Sequence, residues 1–176
     1  MYQNLEYMHI SESLEKFKNF RSGNMIPSID FNHLNESEFE QLCFDILVKL
    51  GFTDVHSVGK TNAPDGGKDL IANEHISTLT GSETRKWIWQ CKHSKKSLDR
   101  KEIAEISELL TENNAHGYGL FCSNFITPDT LNRLEAKKLS IGSNKITYYA
   151  HRELQSLLAS HQDIAYKYKL LAGGVL

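Results

Sequence analysis

An acid, Asp69, opens the apolar run Leu70-Ile71-Ala72 just behind two glycines, Gly66 and Gly67. Further along, Gln90 and Lys92 stand two apart in Trp87-Ile88-Trp89-Gln90-Cys91-Lys92-His93. In a strand, alternate side chains share a face. Gln90 and Lys92 therefore lie with Ile88, and Trp87, Trp89 and Cys91 take the other face. An amide and an ammonium side by side at the end of an apolar strand suit a divalent-metal site. Asp69 offers a hard anionic oxygen, Gln90 a neutral amide oxygen, and the backbone carbonyl of Cys91 a third. Mg²⁺ fits this set, because it takes one or two carboxylates, keeps several waters and draws the rest of its shell from phosphate. Mn²⁺ is the alternative. Such a metal acidifies a bound water and neutralises charge on a phosphodiester in the transition state. Lys92 would hold the nucleophilic water or stabilise the developing phosphorane charge. Glu40, on the border of an apolar helix face, would reach the metal through a water or orient the nucleophile.

Each feature also has a plainer reading. Asp69 alone is a turn or cap residue, Gly66-Gly67 a turn, and Gln90 with Lys92 a solvent-facing edge. The combination, in this order, is what points to a site. Zinc is disfavoured: Cys91 and His93 share a face, but His56, His75, His116, His151 and His161 stand singly and no Cys-x-x-Cys pair occurs. No Gly-x-Ser-x-Gly elbow, phosphate-binding Gly-rich loop or dinucleotide fingerprint is present.

The elements that must position these residues are legible as periodicity. Phe39, Leu42, Cys43, Ile46, Leu47 and Leu50 follow the 3.6-residue period of one apolar helix face. Asn35 with Glu38 resembles a capping box, and Gly51 suits the position after the helix end. Strands are expected at Phe52–Val58, Asp69–Ala72 and Lys86–Lys92, with a loop from Gly59 to Gly67. A helix is expected over Asp99–Glu112, with Ile103, Ile106, Leu109 and Leu110 inward. A short strand follows at Gly119–Cys122. Thr127-Pro128 starts a helix to about Leu139. Ile146–Ala150 reads as a strand and Glu153–Leu158 as a helix. Three strands on short connections imply an antiparallel meander, and the later strand–helix–strand alternation implies parallel crossovers. The expected fold is α/β, a mixed central sheet flanked by helices. Residues 1–30 read as an N-terminal extension with a short helix at Ser13–Phe20, residues 31–160 as the domain, and 161–176 as a tail or linker.

The chain has 176 residues, 40% hydrophobic and 24% charged, with a net charge of -2. That is ordinary for a globular domain and excludes collagen, coiled coil and intrinsic disorder. No apolar run is long enough for a membrane span, and the N-terminus lacks the pattern of a signal peptide. Cys43, Cys91 and Cys122 sit among apolar or aromatic residues, as reduced thiols of a cytoplasmic protein would. The charge is unevenly spread. Arg85 to Lys101 carries seven Lys or Arg and one acid, whereas Asp30 to Asp45 carries five acids and no base. One concentrated basic stretch in a near-neutral chain fits a local anionic partner.

These residues resemble the Mrr-like branch of the PD-(D/E)xK restriction-endonuclease superfamily. The likeness runs through Phe39-Glu40-Gln41-Leu42, Leu50-Gly51-Phe52, Asp65-Gly66-Gly67-Lys68-Asp69-Leu70-Ile71 and Trp89-Gln90-Cys91-Lys92-His93, and covers roughly residues 34–158. It implies a restriction-endonuclease-like core in αβββαβ order and Mg²⁺-dependent cleavage of DNA. By position, Asp69 matches the family's metal-binding acid, Gln90 its second ligand, Lys92 its catalytic lysine and Glu40 its helix glutamate. Glu38 is the rival for the last role. Gln90 stands where most of the superfamily has an acid, the expected form in this branch, and physics predicts a weaker metal site. Asp65 reads as a structural residue beside the motif.

The first functional reading is a DNA endonuclease, a restriction or antiviral-defence effector. Lys68, His93, Lys95, Lys96, Arg100 and Lys101 would contact backbone phosphates, which position a duplex without reading its sequence. No separate recognition module is visible, so substrate choice would come from DNA structure, from base modification, or from another domain or partner such as a fused or separate sensor domain. A homodimer or higher oligomer is expected, because cutting two strands needs two active sites or one that rebinds. The alternatives are a catalytically weak DNA-binding or assembly module of the same fold, and a Holliday-junction resolvase-like enzyme.

Overall fold

The computed structural model describes residues 28–58, 67–79, 81–103, 105–142 and 145–171. The helix expected at Ser13–Phe20, most of the Gly59–Gly67 loop and Asp65 lie outside the described residues. Helix α1 (Glu36–Lys49) is followed by strands β1 (Thr53–Ser57), β2 (Leu70–Thr78) and β3 (Gly81–Lys92). A 3₁₀ turn (Arg100–Glu102), helix α2 (Ile106–Glu112), strand β4 (Gly117–Cys122), helix α3 (Pro128–Ser140), strand β5 (Lys145–Tyr149) and helices α4 (His151–Ser160) and α5 (Gln162–Lys167) complete the order.

The strands form one five-stranded sheet in the order β1-β2-β3-β4-β5. β1, β2 and β3 are antiparallel neighbours, and β3, β4 and β5 run parallel. This is the expected mixed α/β sheet, meander first and crossovers second. α1 starts where the sequence says it should. The Asn35 side chain accepts from the Glu38 N–H at 2.9 Å, and the Asn35 N–H donates to Glu38 Oε2 at 2.8 Å. Gly51 takes φ +90° just past the helix end, a conformation that costs a residue with a Cβ.

Two cores form, one on each sheet face. Phe39, Leu42, Ile46, Trp89, Leu154 and Leu170 belong to the first, so α1, α4 and α5 cover that side. Ile88, Tyr118, Leu120, Ile106, Leu110 and Leu134 belong to the second, under α2 and α3. The alternation along β3 is thus real: Trp87 and Trp89 face α1, and Ile88 faces α2. Register places Trp87 beside Gly117 and Trp89 beside Gly119. The glycines leave room for the indoles, since a Cβ on Gly119 would lie 2.1 Å from the Trp89 ring. The Trp89 ring stacks on Phe121 at 4.8 Å, and Phe121 on Tyr149 at 5.3 Å.

The structure departs from the sequence reading in three places. First, Asp99–Glu112 is not one helix. Asp99 and Glu102 cap a 3₁₀ turn, Ile103 is extended (φ -97°, ψ 131°), and α2 begins at Ile106. Arg133 of α3 holds the break, donating to the Arg100 carbonyl at 3.4 Å and to Glu105 Oε2 at 2.6 Å. The four apolar residues still point inward, which is why the pattern looked continuous. Second, β2 and β3 run beyond the expected strands as a long hairpin through Asn73–Arg85, paired from Asn73 with Lys86 to Thr78 with Gly81. That stretch is polar and largely solvent-facing, so it shows no apolar alternation. Third, the expected tail is, through Leu171, part of the fold. Ile164, Ala165 and Leu170 are buried, and Leu171 bridges to Ile29. No helix among the described residues is long and apolar enough to cross a membrane.

Candidate active site

The site forms where the start of β2 meets the end of β3. Register pairs Leu70 with Trp89, so Asp69, one residue before β2, lies across from the Gln90–Cys91 peptide. Its backbone is pinned on both sides: its N–H donates to the Trp89 carbonyl at 2.9 Å, and its carbonyl accepts from the Val58 N–H at 2.8 Å. The carboxylate continues the ladder, with Oδ2 accepting from the Cys91 N–H at 2.6 Å. Asp69 is half-buried at this point.

Gln90 is 2% exposed, and its Oε1 accepts from the Tyr118 hydroxyl at 2.7 Å. Tyr118 is fully buried on β4. Burial, with the Asp69 charge adding to it, pushes the Tyr118 hydroxyl far above its ordinary value, so it stays a neutral donor. Lys92 ends β3, half-buried, and its carbonyl accepts from the Ser123 N–H at 3.0 Å. Among the described residues no carboxylate pairs with the Lys92 ammonium.

Glu40 arrives from the other side of the sheet, on the second turn of α1. It is half-buried and in no ion pair among the described residues. Its charge and that of Asp69 both bear on the thiols of Cys43 and Cys91, which burial already pushes up. Glu38, the rival glutamate, spends its carboxylate on the Asn35 cap.

The expected phosphate-binding residues divide. Lys95, Lys96, Arg100 and Lys101 are exposed on the segment after β3. Lys68 is half-buried and donates to Asn113 Oδ1 at 3.0 Å, which braces the site against α2. His93 is packed, its ring stacked on Phe39 at 5.3 Å and its Nδ1 2.9 Å from Ser123 Oγ. Tyr118 escaped the sequence reading, because a strand read only from Gly119 onward omits it.

Among the described residues no three His, Cys, Asp or Glu side chains converge on one point as metal ligands. The donors expected from the sequence are oxygens of other kinds, the Asp69 carboxylate, the Gln90 amide and the Cys91 carbonyl, and the structure docks the first of them on the Cys91 N–H. This all-oxygen set with a single negative charge fits Mg²⁺ or Mn²⁺ and does not fit zinc.

Residues 31–158 match the profile of the Mrr_cat family, described as restriction endonuclease. The chain belongs to this restriction endonuclease family. No curated protein matches it. Two solved structures share the fold. "DNA modification-dependent restriction endonuclease AspBHI" superposes with a TM-score of 0.53 at 17% identity, over 77% of this chain and 35% of that one. "MspJI Restriction Endonuclease in Complex with 27-mer Oligonucleotide" gives 0.51 at 11% identity, over 94% of this chain and 36% of that one. The chain therefore spans about a third of the length of each. The restriction-endonuclease family expected from the resemblance and the mixed-sheet fold expected from the element order are both borne out.

Proposed function

We propose that the chain is a Mg²⁺-dependent DNA endonuclease, acting as a restriction or antiviral-defence effector in the cytoplasm. The observation that carries this reading is the docking of the Asp69 carboxylate on the Gln90–Cys91 peptide, one residue from Lys92, in a chain of this family. Asp69, Gln90 and the Cys91 carbonyl would hold the metal. When bound, it supplies positive charge at the scissile phosphate and makes water more acidic. The protein's own groups do the rest. The Lys92 ammonium stabilises the charge that develops on the phosphorane and steadies the attacking water. Glu40 orients that water and takes up its proton. Tyr118 holds the Gln90 amide in one rotamer.

Lys95, Lys96, Arg100 and Lys101 would lie along the DNA backbone. Lys68 and His93 contribute through packing beside it. A homodimer, and a sensor module fused or bound to this domain, would supply the second cut and the choice of substrate. Free thiols at Cys43, Cys91 and Cys122 accord with a cytoplasmic setting.

The deciding experiment incubates the protein with supercoiled plasmid, methylated and unmethylated, in Mg²⁺ or in EDTA. Nicked or linear product in Mg²⁺ only is expected. Intact plasmid on every substrate, with DNA still bound, would point instead to a binding or assembly module.

A further inference from the structure

β3, β4 and β5 run parallel, and a cleft of about 400 Å³ opens beyond their carboxyl ends. Such ends are where open α/β sheets receive ligands, and the volume lies within the usual range of small-ligand sites. The residues that follow each strand line it: His93 and Ser94 after β3, Ser123 to Phe125 after β4, and His151 after β5. The segment before α1 closes the far wall with Asp30 and Asn32. None of these groups belongs to the metal site, yet His93 is the neighbour of Lys92.

The chemistry of the walls selects among occupants. Phe125 is 48% exposed and packs against the His151 ring at 5.3 Å, so aromatic surface is left open to solvent. His151 Nδ1 lies 3.0 Å from the Ser123 carbonyl, which can only accept, so that nitrogen carries the proton and Nε2 of a neutral ring is an acceptor. Asn32 and Asp30 are exposed at the cleft and offer an amide and a carboxylate. A carboxylate in the wall repels a phosphate but accepts from the amino groups of a base. The cations stand outside. Lys95 and Lys96 follow Ser94 and are exposed, and the Arg152 guanidinium lies 6.0 Å from the Phe125 ring centre. Aromatic surface with cations along a rim is how single strands are held, bases stacked and backbone tracked.

We propose that this cleft receives one unpaired nucleotide of a DNA strand, base inward and phosphates at the cationic rim, beside the catalytic lysine. The enzyme therefore prefers DNA with an unpaired end or displaced strand over fully paired duplex. The inference rests on the nuclease reading above and names the structural class of its substrate.

The test is binding by fluorescence anisotropy, in EDTA so that nothing is cut. Probes of one length are a blunt duplex, a duplex with a single-stranded overhang, and a single strand. The overhang and single strand are expected to bind about tenfold more tightly, the order of effect of one stacked base. Phe125→Ala should erase that difference and leave blunt-duplex affinity unchanged, and Phe125→Tyr should restore it. Equal affinity for all three probes, or a Phe125→Ala variant weakened equally on all three, would overturn the proposal. The plasmid assay is read separately. Cleavage without an overhang preference removes the cleft and keeps the nuclease; the preference without cleavage does the reverse.

Discussion

Lys92 stands one residue from the peptide on which Asp69 docks, with no counter-ion among the described residues to absorb its charge. In the proposed mechanism this cation acts on charge that appears only during reaction. Lys92→Ala should therefore lower turnover by roughly 10²–10³-fold or more and change DNA affinity little. Plasmid cleavage rates beside gel-shift affinities check this, and undiminished cleavage removes Lys92 from the mechanism. The ligand oxygens invite a second measurement. Asp69→Asn takes away the single anionic donor and should weaken Mg²⁺ or Mn²⁺ binding in calorimetry. Gln90→Glu adds a charge and should tighten it, since a carboxylate oxygen there both faces the metal and still accepts from the Tyr118 hydroxyl. Equal affinity across the three proteins would strike Asp69 from the ligand set. The thiols give a pH dependence. Burial pushes Cys122 from the ordinary value of 9.0 up to about 11, and raises Cys43 and Cys91 as well. The folded chain keeps these protons while the unfolded chain starts to lose them, so stability is full below about pH 8 and declines from about pH 9 upward. Urea midpoints across that range would show it, and a flat profile to about pH 11 would contradict it. Asp69, Gln90 and Lys92 could be read from sequence because their meaning lies in local order: glycines, an acid, then an amide and an ammonium two apart. Tyr118 could not, because its partner is fixed by parallel pairing of strands separated by a whole crossover.

At the scale of the elements, β3 and β4 fit as an alternating set of large and absent side chains. Gly119→Ala would push a Cβ to 2.1 Å from the Trp89 ring, which is stacked on its neighbours and has nowhere to move. The expected loss is roughly 1–3 kcal/mol of stability, measurable as a lower urea midpoint. A variant as stable as the parent would mean the sheet opens more easily than this packing implies. Helix α1 could be located from sequence to within a few residues, since its cap, apolar stripe and terminal glycine all agree. The segment from Asp99 could not, because a 3₁₀ turn and a helix share the same inward residues and only Arg133 from α3 marks the break. The β2–β3 hairpin beyond Ala72 is likewise held by backbone pairing that polar side chains do not announce.

Over the whole molecule, the described residues offer one proposed site, whereas a duplex has two antiparallel strands. Two-fold pairing of chains is the simplest way to present the same chemistry to both. The face bearing Glu102, Glu105, Glu108 and Glu112 is unsuited to that contact, because its carboxylates would lose water. α3 carries Leu139 at 90% exposure and few acids, and is the better face. We expect dimers by light scattering in the presence of DNA, and linear plasmid as an early product. A strict monomer that accumulates only nicked circles would count against the pairing and leave the cleavage chemistry intact. The α5 segment shows why the extent of the domain was hard to read. Six residues of helix and one buried leucine carry too short a period to stand out, yet Asp30 N–H donates to the Leu170 carbonyl at 2.9 Å and Ile29 pairs with Leu171. That bridge joins the two ends of the described fold side by side. A body entered and left at one point can be spliced into a surface loop of another protein without parting its sheet. It can equally be cut open at the β2–β3 hairpin tip and closed between residues 28 and 171. The described fold is thereby a plug, its two ends meeting at one socket on the side of α1 and α5.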